Sequence, residues 1–289
     1  MAEGGGAAPP PEARRAGVGK GIFAVVVVVV AILAFVGGLA LGPVVFPPAA
    51  QVPTLVVGTN IPFPPFEDYN TTTNTFFGFD IDIARLIAHA SHRTLVIKNF
   101  ANFDALLTTV GANGVDMAAS AITSTGATGA NRSTFLTFST TYYDANQGVL
   151  IQSSNPDGVN CPSSNCSNPS VLDKSNYVIG VQRGTTSESW TNANIKNATV
   201  QNFTGVDTEL AALRSGALTA VIIDNGPAEA FAAGSGGALV LAGTIFTGEK
   251  YSFAVAHLDP QDLIPVINGV IFTSQQNGTY QQLITKWFG

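Results

Sequence analysis

Strands and helices alternate along most of this chain, and the alternation runs once, breaks at a cysteine loop, and starts again. "TLVVGT" (54–59) reads as a strand, "DIDIARLIAHASH" (80–92) as an amphipathic helix and "TLVIKNF" (94–100) as a strand. "NFDALLTTVGANG" (102–114) and "VDMAASAI" (115–122) continue the pattern as helix and strand. After the break, "NYVIGVQRGTTSESWTNA", "ATVQNF", "GVDTELAALRSGALTAVIIDNGPAEAFAA" and "ALVLAG" repeat it, and residues 261–289 form a helix pair with no strand after it. Strands alternating with helices of about ten to fifteen residues predict an α/β fold with a largely parallel sheet. Two α/β lobes separated by a cleft are therefore expected.

Upstream of the first strand the chain changes character. From Gly21 to Leu41 there is no charged residue, and roughly twenty apolar residues are what a helix needs to cross a bilayer. A cleaved signal peptide has a shorter apolar core, about 7–15 residues, and a small residue at its cleavage site, where "FPPAAQVP" places Pro48. The reading is an uncleaved transmembrane anchor at 21–41, between a cytoplasmic tail (1–20) and a linker (42–53). Arg14, Arg15 and Lys20 precede the span and the next basic residue is Arg85, so the bulk of this single-pass cell-membrane protein is expected to be extracytoplasmic.

Cys161 and Cys166 lie in "NPDGVNCPSSNCSNPS", a loop-forming run suited to a disulfide in an oxidising space. Two cysteines without a nearby histidine fall short of a metal site. Glycosylation sequons stand at Asn70, Asn131, Asn165, Asn197, Asn202 and Asn277. Charged residues make up only 11% and the formal net charge is -6, which gives no footing for nucleic acid. His89, His92 and His257 are scattered and no glycine-rich phosphate loop is present, so no catalytic constellation, cofactor or metal is expected.

The loop after the first strand, "NIPFPPFEDYN", carries Phe63 between prolines, with Phe66 and Phe77 further on. In α/β sheets ligands bind beyond the carboxyl ends of strands. Phe63, held extended by its prolines, is expected to wall a pocket, and Phe66 and Phe77 to cover the edge of the core.

Taken in order, "VGTNIPFPPFE", "GFDIDIARLIA", "FDALLTTVGANGVDMAAS", "RSTFLTFSTTYY", "IGVQRGTT", "AALRSGALTAVIIDN" and "NGTYQQLITKWFG" resemble the type 2 periplasmic binding proteins that capture polar amino acids for ABC importers. The resemblance covers about residues 54 to 289. It implies a first lobe built from 54–147 and 251–289, a second from 148–250, and closure over a ligand like a hinged trap. It implies an amino-acid ligand, permease and ATPase subunits on separate chains, and no enzymatic activity.

Roles follow from the same resemblance. Phe63 matches an aromatic packing over the ligand side chain, and Phe103 the apolar residue on its other face. Asn60 stands where many members carry an acid, which points away from a cationic side chain and toward a neutral or polar amino acid. Ser120, Ala121 and Thr123 match the segment that holds the ligand carboxylate, Arg132 the arginine that pairs with it, Thr185 and Thr186 the helix-entry amides, and Asp224 the acid that takes the ammonium. The chemistry fits: a guanidinium fork suits a carboxylate, and helix N-termini bind anions. Taken singly, Arg132 also reads as a surface residue, and Asp224, Thr185 or Thr186 as helix caps. "GATGAN", ahead of Arg132, is longer than the usual turn there. Arg183 would favour an acidic ligand if it pointed into the cleft. The alternatives are a dehydratase of a cyclic aromatic precursor, with Glu188 as general acid, and a non-transport receptor subunit.

Overall fold

The apolar runs of the first half form short strands, the first of them set between Pro53 and Asn60. The computed structural model describes residues 52–289. Its first half contains β1 (Thr54–Thr59), β2 (Asp68–Asn70), β3 (Thr75–Phe77), α1 (Phe79–Ala90), β4 (Thr94–Asn99), α2 (Phe103–Gly111), β5 (Met117–Thr123), α3 (Gly126–Arg132) and β6 (Leu136–Phe138). A long strand, β7 (Tyr143–Gln152), leads into the second half. There, β8 (Val178–Gln182), α4 (Thr186–Asn194), β9 (Thr199–Phe203), α5 (Val206–Arg214), β10 (Ala220–Asp224) and α6 (Asn225–Gly234) follow one another. The chain returns along β11 (Leu239–Ala256) and ends in α7 (Ile264–Gln276) and α8 (Thr279–Phe288).

Nine strands make one sheet in the order β4-β1-β5-β11-β7-β10-β8-β9, with β6 also paired to β11. Parallel pairing holds at both flanks, where β1 joins β4 and β5, and β8 joins β9 and β10. The centre departs from the largely parallel expectation: β11 runs antiparallel to β5 and β7, and β7 antiparallel to β10. Parallel neighbours need a crossover helix, whereas β7 and β11 pass directly from one half to the other and back. Positions 147/148 and 250/251, the expected lobe limits, fall inside these two strands.

Packing explains the aromatic loop. Phe66 is fully buried, 4.9 Å from the Tyr143 ring, 5.2 Å from Tyr251 and 5.2 Å from Phe288. Phe77 stacks on Trp287 at 5.9 Å. Helix α8 thereby pins the loop after β1 onto the first half of the sheet, and edge-to-face pairs of this kind add about 0.5–1.5 kcal/mol beyond area burial.

Cys161 and Cys166 form a disulfide with Cα atoms 4.8 Å apart. Cys166 sits against β11, its N–H donating to the Thr244 carbonyl at 2.8 Å. Closing so short a loop is worth about 2 kcal/mol on the chain-entropy scale. A Cys161→Ser/Cys166→Ser chain is expected to lose about that much in urea unfolding, and reductant to shift the wild-type midpoint equally.

The tail at 1–20, the span at 21–41 and the linker up to residue 51 lie outside the described residues. Among the described residues, no helix is long and apolar enough to cross a membrane.

Candidate functional site

Several strands end at one place, and their terminal residues converge there. Asn60 and Phe63 follow β1, Ser120, Ala121 and Thr123 close β5, and Phe103 opens α2. From the other half come Thr185 and Thr186 at the start of α4 and Asp224 at the end of β10. Arg132, the last residue of α3, completes the wall. The structure thus gathers all the site residues expected from sequence around one cavity. Gln182, Ser187, Ile222 and Ile223 line it as well, and sequence reasoning missed them.

The "GATGAN" segment explains how Arg132 arrives. It coils into α3, with Gly129 so close to the Ser124 carbonyl that a Cβ would lie 2.1 Å from it. Arg132 is only 5% exposed. Its Nη1 donates to the Thr123 carbonyl at 2.8 Å and its Nη2 reaches the Gly184 carbonyl at 2.9 Å. The guanidinium also lies 5.3 Å over the Phe103 ring. Burial draws its pKa down to about 10 while Asp224 and Glu249 pull it back up, so the group stays cationic at neutral pH.

In the same lining, burial lifts the Asp224 carboxyl to about 7, and the charge of Glu249 adds to the rise. Asp224 stands at the N-cap position of α6 without making a side-chain cap bond. It instead accepts from Gln147 Nε2 and from the Tyr251 hydroxyl. Gln147 Nε2 also faces Glu249 Oε1 at 2.8 Å, and Glu249 Oε2 accepts from the Thr123 hydroxyl at 2.7 Å. A polar network on the two long strands, β7 and β11, therefore ties the carboxyl of one half to the β5 terminus of the other.

Helix α4 has an ordinary capped start. Thr185 Oγ1 accepts from the Glu188 N–H at 3.2 Å, and Glu188 Oε2 accepts from the Gly184 N–H at 2.8 Å. The Glu188 carboxylate is thus engaged in capping and is not among the cavity-lining residues. Thr186 accepts from Gln147 at 3.1 Å. Arg183 is exposed and does not line the cavity.

Apart from the network on β7 and β11, two hydrogen bonds cross between the halves: Arg132 to Gly184, and Gln182 Nε2 to Asn60 Oδ1 at 2.8 Å. They leave a cavity of about 20 Å³, the room of about one water molecule. Among the described residues, no cluster of His, Cys, Asp and Glu is fit to hold a metal ion.

Comparison with known proteins bears on the family and the fold. The model of the bacterial extracellular solute-binding proteins, family 3, matches residues 55–289. The chain belongs to that family. This family 3 protein is 29% identical over 234 residues to a probable histidine-binding protein of Campylobacter jejuni, covering 81% of this chain and 84% of the relative. It superposes on an ancestral arginine-binding protein bound to glutamine with a TM-score of 0.72 at 28% identity, covering 82% of this chain and 98% of that one. The substrate-binding protein of an amino acid ABC transporter gives a TM-score of 0.70 at 31% identity, covering 81% and 99%. The fold is the two-lobed periplasmic binding protein fold, and membership of an extracellular family places its work outside the cytoplasm.

Proposed function

We propose that this family 3 protein captures a neutral or polar amino acid for an ABC importer, whose permease and ATPase are separate chains. The observation that carries the reading is the presence of Arg132 and Asp224, a buried cation and a titratable acid, in the lining of one cavity. Such a pair matches the carboxylate and ammonium of a zwitterion. Relatives described as binding histidine, arginine and glutamine support an amino-acid ligand, whatever its side chain.

The selectivity rests on Asn60 and Gln182. Their amides meet at 2.8 Å, and two neutral amides do not offset a buried positive charge. The proposed lobes, 54–147 with 251–289 and 148–250, open by breaking that bond and the Arg132 bond to Gly184. Opening frees Arg132 Nη2 for the ligand carboxylate, and contacts made only in the closed state drive closure. An anchor at 21–41 would hold the trap beside its permease.

Calorimetric titration of the full chain with the common L-amino acids tests this. Saturable binding of a neutral one is expected, and silence with all of them sinks the reading. Asn60→Asp is expected to raise the affinity for L-arginine relative to L-glutamine by about tenfold or more, because a charge-assisted bond replaces an amide contact. An unchanged ratio would remove Asn60 from the side-chain subsite.

A further inference from the structure

At the cavity wall, the turn from Phe63 to Glu67 gives its two end residues different surroundings. Phe63 N–H donates to the Glu67 carbonyl at 2.8 Å and Glu67 N–H to the Phe63 carbonyl at 3.1 Å. Phe63 lines the cavity, while Glu67 is 1% exposed and is not part of that lining. Glu67 Oε1 lies 2.8 Å from Ser120 Oγ, and Oε2 is buried with no hydrogen-bond partner. Ser120 Oγ in turn accepts the Asn60 N–H at 3.0 Å.

We propose that Glu67 is a positioning residue that decides whether the Ser120 hydroxyl offers its proton to the bound amino acid or turns it away from the cavity. The inference rests on the reading of Ser120 as a ligand contact. A serine hydroxyl has one donor and two acceptor sites. With a proton on Glu67, the acid donates to Ser120 Oγ, the Asn60 N–H fills the second acceptor site, and the hydroxyl proton points into the cavity. With Glu67 ionised, the serine proton is drawn to the carboxylate, and a ligand oxygen meets only lone pairs.

The surroundings select the first arrangement. Burial pushes the Glu67 carboxyl well above the usual range, and the neighbouring charge of Asp80 pushes it further. Asp224 and Asp68 act in the same direction, and Ser120 alone opposes them. Asp80, on α1, is committed elsewhere: it accepts the Ala121 N–H at 2.9 Å and the Tyr142 hydroxyl at 2.7 Å. Asp80 takes the donors and Glu67 keeps the proton.

Two measurements on the full chain decide it. Infrared difference spectra of wild type against Glu67→Gln, both with carbon-13-labelled glutamate, are expected to show a neutral carboxylic acid band at pH 7 that belongs to Glu67. Calorimetry with L-glutamine as probe is expected to give about tenfold weaker binding for Glu67→Ala, the loss of one hydrogen bond, and substantial rescue by Glu67→Gln, whose amide donates permanently. The ratio of wild-type to Glu67→Gln affinity is expected to fall about tenfold per pH unit over the interval where the band disappears. An ionised Glu67 at pH 7, or a ratio that stays constant while the band titrates, overturns the proposal. If wild type does not bind L-glutamine, the ligand class fails separately, and the infrared band still decides where the proton sits.

Discussion

An Arg132→Ala chain is expected to bind its amino acid between about thirtyfold and several thousandfold more weakly than wild type, the 2–5 kcal/mol of truncating one partner in a buried charged pair. The guanidinium is the one cationic group lining the described cavity, so no other full positive charge there balances a carboxylate. Arg132→Lys separates charge from shape. A lysine keeps the charge but not the planar fork that meets the Thr123 and Gly184 carbonyls together, and it is expected to recover only part of the loss. Calorimetry with far-ultraviolet circular dichroism on each variant distinguishes lost contact from lost fold. Affinity within threefold of wild type in a folded Arg132→Ala chain would move the carboxylate elsewhere.

That Arg132 was legible at all shows what a sequence carries and what it leaves out. Its position ahead of "STFLTFSTTYY" gave its place at the cavity and a proposed role through resemblance, but not its route. "GATGAN" has two glycines and no apolar stripe, and it is helical because Gly129 can pack against the Ser124 backbone. The strands of both flanks were legible from short apolar runs between breakers. Strand β11 was not. Only its start, "ALVLAG", reads as a strand, and the stretch through Thr247, Gly248 and Glu249 looks like a turn. Its pairing with β7 carries it through two register irregularities. The same concealment hid Gln147 and Glu249, polar residues inside central strands whose partners lie far away in sequence. Gln182 had a signal: a polar residue ending the apolar run "VIGV", just before the "RGTT" turn.

Amino-acid affinity is expected to weaken about tenfold for each pH unit below about 7, until the bound-state pKa of Asp224 is reached. Burial, then Glu249, holds this carboxyl at about 7 in the ligand-free fold. An ammonium group beside it favours the ionised form and lowers that value, so binding below pH 7 must expel a proton. Above pH 7 the carboxylate is already formed and this group contributes no further dependence. Calorimetry at pH 6 in buffers of different ionisation enthalpy is expected to register release of close to one proton in wild type and none in Asp224→Asn. The same shift acts on stability with a definite sign. Because the folded value is raised above the unfolded 3.8, the fold binds more protons than the unfolded chain between about pH 4 and 7, and its stability falls as pH rises through that window. Asp80, raised to about 7 by burial, adds in the same direction. A bound amino acid should restore the Asp224 share alone, so its stabilising effect should be larger at pH 7 than at pH 5. Equal stabilisation at both, with no proton released, would mean that Asp224 does not meet the ammonium.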